Sequence, residues 1–185
     1  MQYWQIVILA VAVVALVAAA VFAVYYRSRS QRLKSRFGSE YDRAVVEMGD
    51  RRRAESELMR RESRVRKLHV RPLGTTERHR FTARWMDCQR LFVDEPARAV
   101  VEADNLLTEV IRARGYSSDS PYERMADISA AYPEHSSRYR VAGEILSRHY
   151  RGEASTEDLR SAFIHYRTLF DEILGGQDEE LKRAS

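Results

Sequence analysis

The stretch IVILAVAVVALVAAAVFAV, from Ile6 to Val24, is nineteen consecutive apolar residues, and Arg27, Arg29, Arg32, Lys34 and Arg36 follow it directly. At about 1.5 Å rise per residue, such a helix covers roughly 28 Å, close to the hydrocarbon thickness of a bilayer. Seven of the residues are Ala and twelve are Val, Ile, Leu or Phe. Those twelve favour insertion by on the order of 5 kcal/mol, with no charge opposing them. Tyr3 and Trp4 stand at one end and Tyr25 and Tyr26 at the other, where amphipathic rings meet the two headgroup layers. The reading is one transmembrane helix over 5–26, preceded by a short extracytoplasmic N-terminus, 1–4.

A cleaved signal peptide is the competing reading, since Ala18, Ala19 and Ala20 offer small residues for processing. Against it, no Lys or Arg precedes the run, the run exceeds a signal's apolar region, and it continues past Ala20. Cations after the helix resist translocation, so the N-terminus is expected outside and the remainder in the cytoplasm of a single-pass cell (inner) membrane protein. Tyr3, Trp4, Tyr25, Tyr26, Arg27, Arg29, Arg32, Lys34 and Arg36 form the expected membrane interface, with anionic lipid headgroups as partners. Ala15, Ala19 and Ala23 share one helix face, a small-residue ladder through which a homodimer is the weaker expectation.

Charge is divided unevenly beyond the anchor. From Arg27 to Arg80 seventeen Lys/Arg face eight Asp/Glu, a net of +9; from Phe81 to Ser185 fourteen face nineteen, a net of −5. A basic collar beside an anionic leaflet accounts for this without nucleic acid. The single Cys88 has no partner within the chain, which suits a reducing compartment.

Punctuation then divides the soluble part. Gly38 is expected to end the first helix and Ser39 to cap a short one. Asp50 to Leu68 reads as a polar helix, either a solvated stalk or half of a coiled-coil pair, with the narrow seam Ala54, Leu58, Val65 and Leu68, interrupted by Arg61. Residues 69–74, with Pro72 and Gly74, read as a connector, so 27–74 forms a basic juxtamembrane helical region. A compact helical bundle is expected over 75–174. Its first helix is capped by Thr76 and carries Phe81, Trp85, Cys88 and Phe92. Its second starts at Glu95-Pro96 and carries Val100, Ala103, Leu107 and Val110. Ser120 and Glu123 have capping-box spacing for a third, short helix ended by Tyr132-Pro133. A fourth spans about Ser136 to Arg151, turning Tyr139, Ala142, Leu146 and Tyr150 inward. The last, capped by Ser155 or Thr156, places Leu159, Phe163, Tyr166, Phe170 and Ile173 on one face. Gly175-Gly176 is expected to end it, leaving a polar tail, 175–185. No window alternates as a strand does, so the fold class is all-α.

Catalytic, cofactor and metal residues are expected to be none. The five histidines show neither Glu-x-x-His nor His-x-x-x-His spacing, although His149-Tyr150-Arg151 and His165-Tyr166-Arg167 repeat one tripeptide on neighbouring helices. Cys88 lies on an apolar face and reads as a small hydrophobe. Gly is never patterned as a phosphate loop. Arg51-Arg52-Arg53 and the cluster from Arg60 to Lys67 are interleaved with Glu55, Glu57 and Glu62, a solvated or membrane-facing pattern, so nucleic acid is not an expected partner.

Several segments, RLKSRFGSEYDR at 32–43, VRPL at 70–73, FVDEP at 92–96, RGY at 114–116 and HYRTLF at 165–170, together give a pattern that resembles a family of uncharacterised bacterial proteins. Its members come mostly from high-GC soil bacteria and have one N-terminal membrane segment and a helical body. The chain departs from that pattern around Ser117 to Ser137. The resemblance implies a tethered helical domain and carries no activity or site residues. The expected function is a membrane-tethered cytoplasmic adaptor or structural interaction module with a protein partner, and not an enzyme. Its rivals are a ligand-binding or enzymatic bundle and a nucleic-acid tether.

Overall fold

The structure, a computed structural model, describes residues 2–116 and 120–184, with the side chains at 2, 5, 6, 10 and 176–184 outside the description. Ser117, Ser118 and Asp119 also lie outside the described residues. The described residues form helices and no strand: α1 (Gln2–Phe37), α2 (Ser39–Met48), α3 (Arg51–Lys67), α4 (Thr75–Asp94), α5 (Pro96–Ala113), α6 (Pro121–Ala131), α7 (Pro133–Tyr150) and α8 (Thr156–Ala184). The chain divides into two compact units, and the division falls inside α3, between Glu55 and Ser56.

In the first unit, α1 continues without a break from the apolar run into the basic segment. Its apolar half is long and apolar enough to cross a membrane, and none of its described residues is buried within the protein. Gly38, at φ +51°, ends α1. Gly38 is also the N-cap of α2, so Ser39 is the first residue of that helix rather than its cap. Past Gly38, Tyr41 and Ala44 are buried, as are Leu33 and Phe37 on α1. Gly49, in the left-handed conformation, closes α2 through an N–H bond to the Val45 carbonyl. Asp50 then caps α3 by accepting the Arg53 backbone N–H at 2.7 Å.

The second unit is built around α5. Ala99, Val100, Ala103, Leu106, Leu107, Val110 and Ile111 give it a broad buried stripe, and α4, α7 and α8 pack on it. Trp85 of α4 stacks between Phe163 and Phe170 of α8, with ring centroids 5.1 and 4.7 Å away. Such pairs add about 0.5–1.5 kcal/mol each beyond the area they bury.

Helix ends depart from expectation where one residue serves two roles. Gly74, not Thr76, is the N-cap of α4, with the Glu77 carboxylate accepting its N–H. Pro133 is the first residue of α7 as well as the end of α6, because its fixed φ suits a helical first position. Tyr150 is 68% exposed rather than inward. Gly175-Gly176 does not end α8, which continues to Ala184; a helical glycine costs only about 1 kcal/mol relative to Ala. Nor is α3 a solvated stalk. Leu58 and Glu62 are buried, Arg61 reaches the Ser129 hydroxyl at 3.5 Å, and Arg64 lies 3.3 Å from the buried Asp127 carboxylate of α6.

Candidate functional site

Two polar sites stand out, one in each unit. The first lies at the foot of the apolar helix. Ser30, one helical turn past Tyr26, is buried and donates to Oε1 of Glu55. The same oxygen accepts from the Tyr41 hydroxyl at 2.8 Å and from Arg51 Nε at 3.0 Å. Arg51 also donates to Ser30. Burial pushes the Glu55 carboxyl up, but the three donors outweigh it and hold the group below its ordinary value, while the bonds Arg51 makes to Glu55 and to the Tyr41 hydroxyl raise its own pKa. Beside this network opens a cleft of about 530 Å³ lined by Tyr26, Arg27, Ser30, Arg51, Arg52 and Glu55.

The predicted interface residues are therefore distributed along one helix rather than gathered at one point. Tyr3, Trp4 and Tyr25 are well exposed. Tyr26 and Arg27 line the cleft. Arg29 is half-buried, Arg32 and Arg36 are exposed, and Lys34 pairs with Asp42 at 3.5 Å. Sequence reasoning missed Ser30, Tyr41, Arg51 and Glu55. The available signal was the register Tyr26, Ser30, Leu33, Phe37, spaced 4, 3 and 4, which marks a single helix face running on past the apolar segment.

The second site is a cleft of about 500 Å³ in the bundle, among α5, α6, α7 and α8. Arg124 of α6 donates to the Tyr139 hydroxyl at 2.6 Å and to Thr108 Oγ1 at 2.7 Å, and lies 3.7 Å from the Asp104 carboxylate. Tyr166 is fully buried and its hydroxyl lacks a hydrogen-bond partner of normal geometry. Burial first, and then the Asp104 charge, raise the pKa of both phenols, so both remain protonated. Met125, Leu146, Pro121 and Tyr150 supply apolar wall.

The histidines do not join this cleft. The His165 ring is held below its usual value by burial and by Arg138, and lies 3.5 Å from Ser161, whereas the His149 ring lies against Tyr150. No group of metal-ligating side chains assembles among the described residues. Cys88 is buried, and burial followed by Glu102 raises its thiol pKa. Comparison with known proteins finds no matching family model, curated protein or solved structure.

Proposed function

We propose that the chain is a single-pass protein of the cell (inner) membrane. Residues 5–26 span the bilayer, Tyr3 and Trp4 lie outside, and the helical body from Arg27 onward is cytoplasmic and serves as an adaptor or structural interaction module. One observation carries the reading: none of the described residues in the apolar half of α1 is buried in the protein, and the helix passes unbroken into five cations. An apolar cylinder of that length left in water exceeds any patch a soluble protein tolerates. The exposed Ala15, Ala19 and Ala23 face would let a second copy approach within the lipid.

Alkaline extraction of membranes, combined with mapping of the mature N-terminus, tests the anchor. Retention with residues 1–20 intact is expected. A mature N-terminus beyond Ala20 with the body released to the medium would overturn it.

A second reading, a small-ligand-binding or enzymatic bundle, is favoured by the Asp104, Arg124, Tyr139 and Tyr166 cleft, a mostly apolar hollow with a few convergent polar groups. Titration of small molecules into the full chain, followed at the Met125 methyl by NMR, tests it; a methyl resonance indifferent to every compound would remove the reading. A nucleic-acid tether is less well supported, since Arg61 and Arg64 of α3 are turned onto α6 and Arg60 pairs with Glu57 at 2.7 Å.

A further inference from the structure

The cleft at the foot of α1 sits at a depth fixed by the helix above it. If Val24 marks the hydrocarbon edge, Arg27 and Ser30 lie about 4 to 9 Å beyond it, within or just past a headgroup layer of about 5–7 Å per leaflet. Three of the lining residues are arginines, opposed by the one carboxylate of Glu55. Arg51 is neutralised by that carboxylate and held in place by Ser30 and Tyr41. Arg27 and Arg52 form no ion pair among the described residues, which leaves two uncompensated cations around one hollow.

This arrangement works against the protein's own helix energetics. The first turn of α3 holds Arg51, Arg52 and Arg53 and no acid, with only the carboxylate of the Asp50 cap ahead of them, although the positive end of a helix dipole disfavours cations. Local rules broken in this way are commonest where an outside group supplies the compensation. Guanidinium groups converging on a polar hollow suit a phosphate, which they bind through paired N–H donors. Tyr26, at the lip, offers an amphipathic ring to the glycerol and upper acyl region.

We propose that this cleft seats the phosphodiester of an anionic phospholipid headgroup, with Arg27 and Arg52 as its direct ligands and Arg51, paired with Glu55, as a fixed wall. The Ser30–Glu55–Tyr41 network is then a positioning device that sets the distance between α1 and the start of α3. The inference rests on the membrane reading above and deepens it: the basic collar contains one built site rather than only diffuse attraction.

The test uses the full chain reconstituted in bilayer nanodiscs containing equal phosphatidylcholine and phosphatidylglycerol, with retained lipids counted by native mass spectrometry. The wild type should retain phosphatidylglycerol preferentially. Arg27→Gln with Arg52→Gln should lower that retention by about tenfold or more. The charge-matched pair Arg53→Gln with Arg66→Gln, whose residues are exposed and lie outside the cleft, should leave it close to wild type. All four side chains are exposed, and far-UV circular dichroism checks that each variant keeps its helices. Equal losses in both pairs would reduce the site to a diffuse collar and overturn the proposal. Displacement of the lipid by soluble glycerol phosphate would assign the cleft to a free phosphate and equally overturn it. Alkaline extraction of the same samples separates the two readings: a chain washed from the bilayer refutes the anchor and the site together, whereas an anchored chain indifferent to Arg27 and Arg52 refutes the site alone.

Discussion

Ser30 of α1 donates its hydroxyl proton to the Glu55 carboxylate of α3 across a separation of twenty-five residues. That bond, with those from Tyr41 and Arg51 to the same oxygen, ties α1, α2 and the first turn of α3 together. Glu55→Ala removes the acceptor that all three donors share, and the expected loss is about 1–3 kcal/mol. Glu55 sits below its ordinary 4.5 in the folded state. Its contribution is therefore complete above that value and fades as pH falls through the lower, folded value. Thermal melts of the full chain from about pH 6 to about pH 3 should show a decline that Glu55→Gln flattens; parallel curves for the two proteins would contradict the assignment.

Gly115 and Gly152 both occupy positive φ, at +93° and +75°, but their surroundings differ. A Cβ at Gly115 would meet the His69 carbonyl oxygen at 2.5 Å, whereas one at Gly152 meets nothing within 4 Å. Gly152→Ala should cost about 1–2 kcal/mol, the left-handed backbone penalty alone. Gly115→Ala should cost more, because the connector preceding α4 must also shift; the Arg71 N–H bond to the Arg114 carbonyl holds that connector in place. Urea denaturation of both variants gives the comparison, and equal costs would show that the connector yields freely.

Much of the fold was legible because it depends on spacing. The buried faces of α5 and α8 follow directly from apolar residues three and four apart, and Pro96 and the Ser120 cap mark helix starts as their chemistry requires. Pro133 was read only as a stop, although the property that ends α6 also begins α7. The polar sites were far less legible. Asp104, Arg124 and Tyr166 lie on three different helices, and no local pattern reports which polar residues a bundle brings together. The α3 helix was misread because its apolar seam is narrow, and Arg61 and Arg64 pack against α6 where apolar side chains would ordinarily stand.

Arg61 and Arg64 supply the next expectation. Replacing both with Ala leaves the Asp127 carboxylate, 1% exposed, without one of its neighbouring cations, and buried charges that lose a partner are costly. Hydrogen exchange should accelerate through Ser56–Lys67 while the amides of α8 near Leu169 remain protected. Unchanged protection in α3 would show that apolar contacts such as Leu58 suffice to hold it.

Cys88 reports on the core. Its thiol is buried, and burial followed by the Glu102 charge raises its pKa, so thiolate is scarce at neutral pH and reaction with an alkylating reagent should be slow. The rate should rise with urea in step with loss of the near-ultraviolet signal from the Trp85 stack. Rapid labelling of the native protein would contradict the packing of α4 against α5 and α8.

Orientation across the bilayer is the central claim, and protease protection tests it most directly. With a tag after Ser185, the helical body should resist protease added to intact cells from outside and be digested in inside-out vesicles. Digestion in intact cells, with protection in the inverted vesicles, would place the body on the opposite side and contradict the claim.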